Sequence, residues 1–348
     1  ALTKQLGGLV RRGTVREYGR ALIKFEADDP LFAGVTQPAQ VWMSHGDRAE
    51  KLAPGFRRIG WSEDCAFAAV RHDGAPIWGV QFHPEVHHTP QGERMLANFV
   101  FSVCKAKPVW KMGRFVEQTV AQLREQVGGR TVICGVSGGV DSTVLAVLLH
   151  QAIGDQLKCV LVDHGLMRQD EARIVADRFR NQLNIRIKRV RASGHFLGKL
   201  KGVADPERKR RIIGREFVNV FFREFHGDEL LAQGTLYPDV IESVPAKGPS
   251  ATIKTHHNRV KEIQALIAQG RIIEPLKELF KDEVRAVGKE LGIPHEILWR
   301  HPFPGPGLAV RILGVVTPRR LKLLRLADRI YLDELKRTGH YAKIWQAF

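Results

Sequence analysis

Residues 132–150 read VICGVSGGVDSTVLAVLLH. An apolar run ends in Ser-Gly-Gly-Val-Asp-Ser, and an apolar-periodic segment follows at once. A buried strand that enters a helix through a glycine turn opens a strand–helix–strand unit, and such units close as right-handed crossovers in a parallel sheet. The glycines let backbone N–H groups come close to an anion, and the start of the helix adds a favourable dipole. Ser137 and Ser142 can donate hydroxyls to phosphate oxygens. A Walker A loop carries a lysine before its serine; this loop carries Asp141 there. A carboxylate faces phosphate without repulsion when Mg2+ lies between them. A loop holding pyrophosphate and a metal suits cleavage between the α- and β-phosphates of ATP. The bland alternative is a tight turn with Asp141 as a helix cap.

The text around the loop keeps the same alternation. Residues 110–127 have helical spacing and stop at Gly128-Gly129. Residues 131–136, 157–165 and 185–192 read as strands, and 141–153 and 171–183 as the helices between them. The expected fold class is α/β, with a doubly wound parallel sheet that binds ligand at the carboxyl ends of its strands. SGGVDS and VDHG (162–165) then share one sheet edge. Before this zone, residues 40–46, 65–70 and 76–82 read as strands broken by Gly and Pro turns, and 94–104 has helical spacing. After it, HPFPGPG (301–307) reads as a rigid turn, GLAVRILG (307–314) as a strand and 318–337 as a long helix. The expected domains are 1–104, a linker at 105–108, 109–306, and 307–348.

Lys and Arg number 54 against 37 Asp and Glu, a net charge of +17. That balance favours polyanions, but it is spread along the chain, with one dense cluster, ERKRR (207–211). No RNA-module signature accompanies it, so neither nucleic acid nor a membrane is expected as a partner; no apolar run reaches the roughly 18–20 residues of a spanning helix. Cys65, Cys104, Cys134 and Cys159 lack metal-ligand spacing and read as free buried thiols of a cytoplasmic protein. Adjacent His256 and His257 point apart and have no suitably spaced third ligand, so they read as pocket or lid residues.

SGGVDS resembles the motif of the N-type ATP pyrophosphatases. VDHGLMR (162–168), AQGTLYPDVIES (232–243), IKTHHN (253–258), EPLKELFKDEVR (274–285) and RHPFPGPGLAVRILG (300–314) resemble, in order, the GMP synthetase family. SHGD (44–47) and GVQFHPEVHHTPQG (79–92) resemble its class I glutamine amidotransferase domain. The fold implied is a partial amidotransferase α/β domain, an ATP pyrophosphatase domain, and the start of an α+β dimerisation domain at 307–348. The activity implied is the conversion of xanthosine monophosphate (XMP) to GMP with ATP and glutamine-derived ammonia, in a protein that is a homodimer at full length.

The resemblance also implies residue roles. Ser137, Gly138, Gly139, Val140, Asp141, Ser142, Thr143, Val162 and Lys281 would bind ATP or pyrophosphate, with Val162 against the adenine, Lys281 on the phosphates and Asp141 holding Mg2+. Arg210, in a lid segment (204–214), would contact the substrate nucleotide, while Arg208, Lys209 and Arg211 form a solvated basic face. Asp239 and Glu242 would bind metal or shape the pocket. His83 would be a general base oriented by Glu85, serving a cysteine that attacks glutamine. In the family that cysteine precedes text like ALTKQLGG, so it is expected upstream of Ala1, and further sequence is expected after KIWQAF. The chain as given is then expected to use ammonia, not glutamine. Two readings stand against this one: an RNA-thiolating relative, which needs reactive cysteines in the sheet domain, and a non-catalytic nucleotide-binding module.

Overall fold

The structure, a computed structural model, describes residues 2–108, 111–243, 261–344 and 346–347. The chain falls into two compact units, Ala1–Val109 and Trp110–Phe348. IKTHHN, with His256 and His257, lies outside the described residues.

The first unit opens with the short helix α1 (Leu2–Gln5) and is built on an antiparallel sheet. Strands β1 (Leu9–Phe25) and β2 (Ala39–Lys51) form a long hairpin, followed by β3 (Phe56–Trp61), β4 (Ala69–His72) and β5 (Trp78–Val80). The sheet order is β2-β1-β3-β4-β5. Ala39, Val41 and Met43 alternate inward along β2, as a half-buried strand requires, and meet Ile23, Ile59, Phe82 and Met95 in the core. Helix α2 (Gly92–Ala97) and a π-helical turn (Asn98–Val103) follow. Two expected strands are shorter than their apolar runs. Ser62 Oγ accepts the Cys65 N–H at 2.9 Å, holding a turn, so that β4 starts at Ala69. Strand β5 stops at Val80, three residues before His83.

The second unit is an all-parallel sheet. In chain order it contains α3 (Met112–Val127), β6 (Val132–Gly135), α4 (Val140–Ile153), β7 (Leu157–Asp163), α5 (Glu171–Gln182), β8 (Ile187–Arg191), α6 (Ser193–Lys199), α7 (Pro206–Phe221), β9 (Leu230–Ala232), α8 (Tyr237–Ser243), α9 (Lys261–Ala268), β10 (Ile272–Ile273), α10 (Lys281–Glu290), α11 (His295–Leu298) and α12 (Pro318–Arg337). The strand order is β10-β9-β6-β7-β8. Alternate strand residues enter opposite cores: Val132, Cys134, Cys159 and Leu161 pack with α3, α4, α5 and α10. Ile133, Val160 and Val162 pack with α6, α7, α9 and α12. The chain runs outward through β7 and β8, then returns to place β9 on the other side of β6. That reversal makes the carboxyl end of β6 a topological switch point, where open α/β sheets take ligands.

Residues 307–314 form no strand. A 3-10 turn covers Gly307–Arg311. Gly307 is left-handed (φ 63°), and a Cβ there would stand 2.2 Å from the Leu166 carbonyl oxygen. The Leu308 N–H donates to that same oxygen at 2.8 Å. Lys209 takes two further carbonyls: its Nζ donates to Ile312 at 2.7 Å and to Ala309 at 3.2 Å. Backbone groups satisfied by a loop and by an ammonium need no sheet. Lys209 therefore does not belong to a solvated basic face. It is fully buried, and burial, with Arg320 nearby, lowers its pKa against the pull of Asp205. Cys104 departs from the expected buried thiols, being exposed.

Two measurements follow from this packing. Lys209→Ala strands two buried carbonyls and should lower the unfolding free energy by about 3 kcal/mol in urea titrations. Arg208→Ala, on the exposed side of the same helix, should stay within about 0.5 kcal/mol. Buried His164 accepts the Leu166 N–H on Nδ1 at 3.0 Å, and burial lowers its pKa to about 4. An unfolded histidine binds its proton near pH 6.5 and the folded one does so only near 4, so the fold loses stability as pH falls through that window and levels off below it. The stability difference between wild type and His164→Asn should shift by about 3 kcal/mol against wild type between pH 6.5 and 4.

Candidate active site

Strand β6 pairs with β7 in register, Gly135 opposite Val160, and the Val136 N–H still reaches the Val160 carbonyl at 2.9 Å. The chain must then turn sharply to begin α4 at Val140. Gly138 makes the turn at φ 75°, where a Cβ would lie 2.4 Å from Val175 Cγ2. Residue types other than glycine are strained there and have no room. Within the loop, the Ser137 and Ser142 hydroxyls stand 3.1 Å apart, and Gly139 N–H donates to Ser137 Oγ at 3.3 Å. Ser142 and Thr143 hydroxyls both donate to the Gly139 carbonyl, at 3.1 and 2.8 Å. The first N–H groups of α4 have no intrahelical acceptor and sit at the switch point. Thr143 is buried and caps the turn from beneath.

Asp141, in the first turn of α4, meets Lys281, the first residue of α10. Lys281 Nζ donates to both carboxylate oxygens, at 2.6 and 2.5 Å, across 140 residues of sequence. Both side chains remain about a third exposed. Across the crevice, the loop after β9 brings Gly234 against Asp141, with 3.8 Å from its virtual Cβ to Asp141 Cβ. The same loop is braced by Thr235 Oγ1 donating to Glu274 at 2.5 Å and by Leu236 N–H donating to Asp239 at 3.1 Å. Thus SGGVDS, AQGTLYPD and EPLKELFK meet beyond the carboxyl end of β6.

The remaining expected residues are differently placed. Val162 is buried in the second core, consistent with a core strand position next to the edge residue Asp163. Asp163 accepts from Arg189 Nη2 at 2.5 Å and also from Gly165 N–H at 3.2 Å. Arg210 is exposed and pairs with Glu207 one turn away at 3.3 Å. Two residues escaped the sequence reading. Arg300 reaches both Glu171 and the Gly138 carbonyl. Gln233 holds a buried Oε1 with no partner among the described residues, directly before Gly234. Neither carries a local signal, because each matters through partners distant in sequence.

In the first unit, His83 and Glu85 form a pair. A carboxylate only accepts, so His83 Nδ1 donates to Glu85 Oε1 at 2.7 Å, leaving Nε2 as the basic nitrogen. The Glu85 backbone N–H lowers the Glu85 pKa, with help from His83 and against desolvation by burial. The turn is fixed from behind: His83 N–H donates to the Trp42 carbonyl at 2.9 Å, and Thr89 Oγ1 donates to the His83 carbonyl at 2.6 Å. Pro84 backbone lies against Gly92, where a Cβ would come within 1.9 Å.

Among the described residues, Glu17, His45 and Cys65 place three possible metal donors within 4.8 Å of one another. They read equally as a buried polar group: His45 Nε2 and Glu17 Oε2 are 3.2 Å apart without hydrogen-bond geometry, and Ser62 Oγ donates to Glu17 Oε1 at 2.8 Å. Burial pushes the Cys65 thiol up, which suits neither a nucleophile nor a ligand. Cys134 is pushed up by its hydrogen bond with Cys159 and by burial.

Residues 1–103 match the glutamine amidotransferase class-I family, and residues 112–213 match the PP-loop domain family. GMP synthase [glutamine-hydrolyzing] of Bartonella henselae is 53% identical over 350 residues, covering 99% of this chain and 67% of that protein. The protein of the same name from Brucella suis is 53% identical over 351 residues, with the same coverage. Among solved structures, NMN synthetase from Francisella tularensis aligns with a TM-score of 0.43 at 14% identity, covering 68% of this chain and 97% of that one. With a class I amidotransferase region followed by a PP-loop sheet, and more than half its residues shared along nearly its whole length, the chain belongs to the GMP synthase [glutamine-hydrolyzing] family.

Proposed function

We propose that the second unit converts XMP to GMP in two steps. The C2 oxygen of XMP attacks the α-phosphorus of ATP, forming a C–O–P bond as the bond to the β-phosphate breaks and pyrophosphate leaves. Ammonia then adds at C2 and AMP departs with the oxygen, a proton being lost to solvent. Adenylation matters because the exocyclic C2 oxygen is a poor leaving group and adenylate is a good one. The observation that carries this reading is the Asp141–Lys281 pair at the mouth of a glycine loop on the switch point.

The residues divide the work as follows. Ser137, Ser142 and the N–H groups of Gly138, Gly139 and Val140 take phosphate oxygens. Lys281 leaves Asp141 for the phosphates when nucleotide enters, since its ion pair is partly exposed and weakly held. Asp141 is an oxygen donor of the type Mg2+ prefers and sits at the loop, so the residues fit that ion, which would neutralise pyrophosphate charge. Val162 backs the adenine from within its strand. Arg210, exposed on its helix and paired locally with Glu207, binds the nucleotide monophosphate. Positioning and charge neutralisation account for the rate. Cys134 and Cys159 are buried inside the sheet, which argues against a thiolating reaction.

His83 and Glu85 serve as base and orienting acid for a cysteine thiolate in glutamine hydrolysis. The described contacts of His83 are Glu85, Trp42 and Thr89, and Cys65 is buried at the turn that Ser62 closes. We assign ammonia as the nucleophile that reaches the second unit, whatever its source. Residues 1–104, 105–108 and 109–306 are read as amidotransferase part, linker and synthetase. Residues 307–348 are read as carrying dimer contacts, with exposed Leu323, Leu326 and Ile330 on α12 in support.

The test is pyrophosphate and AMP release from ATP, Mg2+, XMP and ammonium. Release should require XMP. Lys281→Met and Asp141→Asn should each lower kcat/KM at least about 100-fold, near 2.7 kcal/mol of transition-state stabilisation. XMP-independent release, or none at all, would overturn the assignment.

A further inference from the structure

We propose that Arg300 is a positioning residue for the phosphate loop, one that orients the Gly138–Gly139 peptide without touching the nucleotide. The inference rests on the reading that SGGVDS binds phosphates. Arg300 opens the RHPFPGPG segment, 162 residues from Gly138, yet its Nη1 donates to the Gly138 carbonyl at 3.3 Å. Its Nη2 bonds Glu171, the first residue of α5. Both side chains are largely buried. One planar group thus ties three segments together: the glycine loop, the start of the helix after VDHGLMR, and the proline-rich turn.

The direction of that grip is what matters. In a trans peptide the carbonyl and the next N–H point in opposite directions. Holding the Gly138 carbonyl toward Arg300 therefore aims the Gly139 N–H away from it, to the side where the Ser137 and Ser142 hydroxyls converge. Arg300 lies on the rear of the loop: a Cβ on Gly138 would meet Val175 and Arg300 Nη1 together, at 2.4 and 3.2 Å. Its charge is already matched by Glu171, so its contribution to phosphate binding is geometric, not coulombic. A buried ion pair is a poor source of net stability compared with apolar side chains of similar volume. A forked donor is a good device for fixing one peptide plane against a carboxylate. Glycine at 138 makes such a device necessary, because the residue that can make this turn is also the one with most freedom to leave it.

The experiment measures binding, apart from turnover. Inorganic pyrophosphate and Mg2+–ATP are titrated calorimetrically into the 348-residue chain, its Arg300→Lys variant, and the double variant Arg300→Met/Glu171→Leu. The double variant removes both charges, so no buried carboxylate is left alone to unfold the protein. Pyrophosphate and ATP affinity should fall about tenfold or more in the double variant, with XMP affinity unchanged and the unfolding midpoint close to wild type. Arg300→Lys should recover only part of the loss, since one ammonium replaces a two-pronged fork. Wild-type affinity for pyrophosphate in the double variant would overturn the role of Arg300. So would equal losses for ATP and XMP together with a lowered unfolding midpoint, the signature of general damage. A wild-type chain that binds no pyrophosphate would instead sink the reading of the loop itself.

Discussion

The left-handed turn at Gly138 sets the terms for the rest of the second unit. Strand β6 is buried on both faces, so it must leave the sheet at its carboxyl end. Helix α4 must begin within a few residues if its apolar sides are to reach the same core. A side chain at 138 would overlap Val175, which packs α5 against the loop. The tightness of that turn puts the start of α4 at the switch point, with N–H groups that lack helical partners. Asp141 falls on the first turn of α4, and Lys281 starts α10 opposite it. The ion pair between them is a consequence of where two helices begin.

The large positive charge has a different use from the one its total suggests. Several of the basic side chains hold loop carbonyls. Arg325 donates to Gly165 and Met167, Arg271 to Gly227 and Glu229, Arg320 to Leu313 and Val315, and Lys209 to Ala309 and Ile312. Irregular segments lack a ladder of their own, and their carbonyls need donors. A long cationic side chain can reach such groups from a neighbouring helix. The cluster at 207–211 illustrates this: Lys209 is interior, Arg210 pairs locally, and the rest face solvent.

The first unit solves a related problem with polar side chains. His83 and Glu85 stand past the end of a short strand, where a sheet no longer orients them. Thr89, the Trp42 carbonyl and the close approach of Pro84 to Gly92 replace that support. The imidazole is thereby fixed with one nitrogen committed to a carboxylate and the other left basic.

Much of this was legible in the sequence. The alternation of strands and helices from 131 to 192, the helix at 318–337 and the glycine loop with its serines all follow from short-range periodicity and turn chemistry, which a few neighbouring residues determine. The run GLAVRILG misled, since its apolar pattern suits a strand, but its backbone partners are Leu166 and Lys209. The expected helix face at 207–211 misplaced Lys209 for the same reason. The local sequence pattern by itself determined a parallel α/β core with a glycine turn after its central strand. Tertiary structure decided that Lys281 meets Asp141, that Arg300 grips Gly138, and that Lys209 is interior. Those outcomes depend on where the ends of long side chains arrive after 100 or more intervening residues have packed, and no local pattern carries that information.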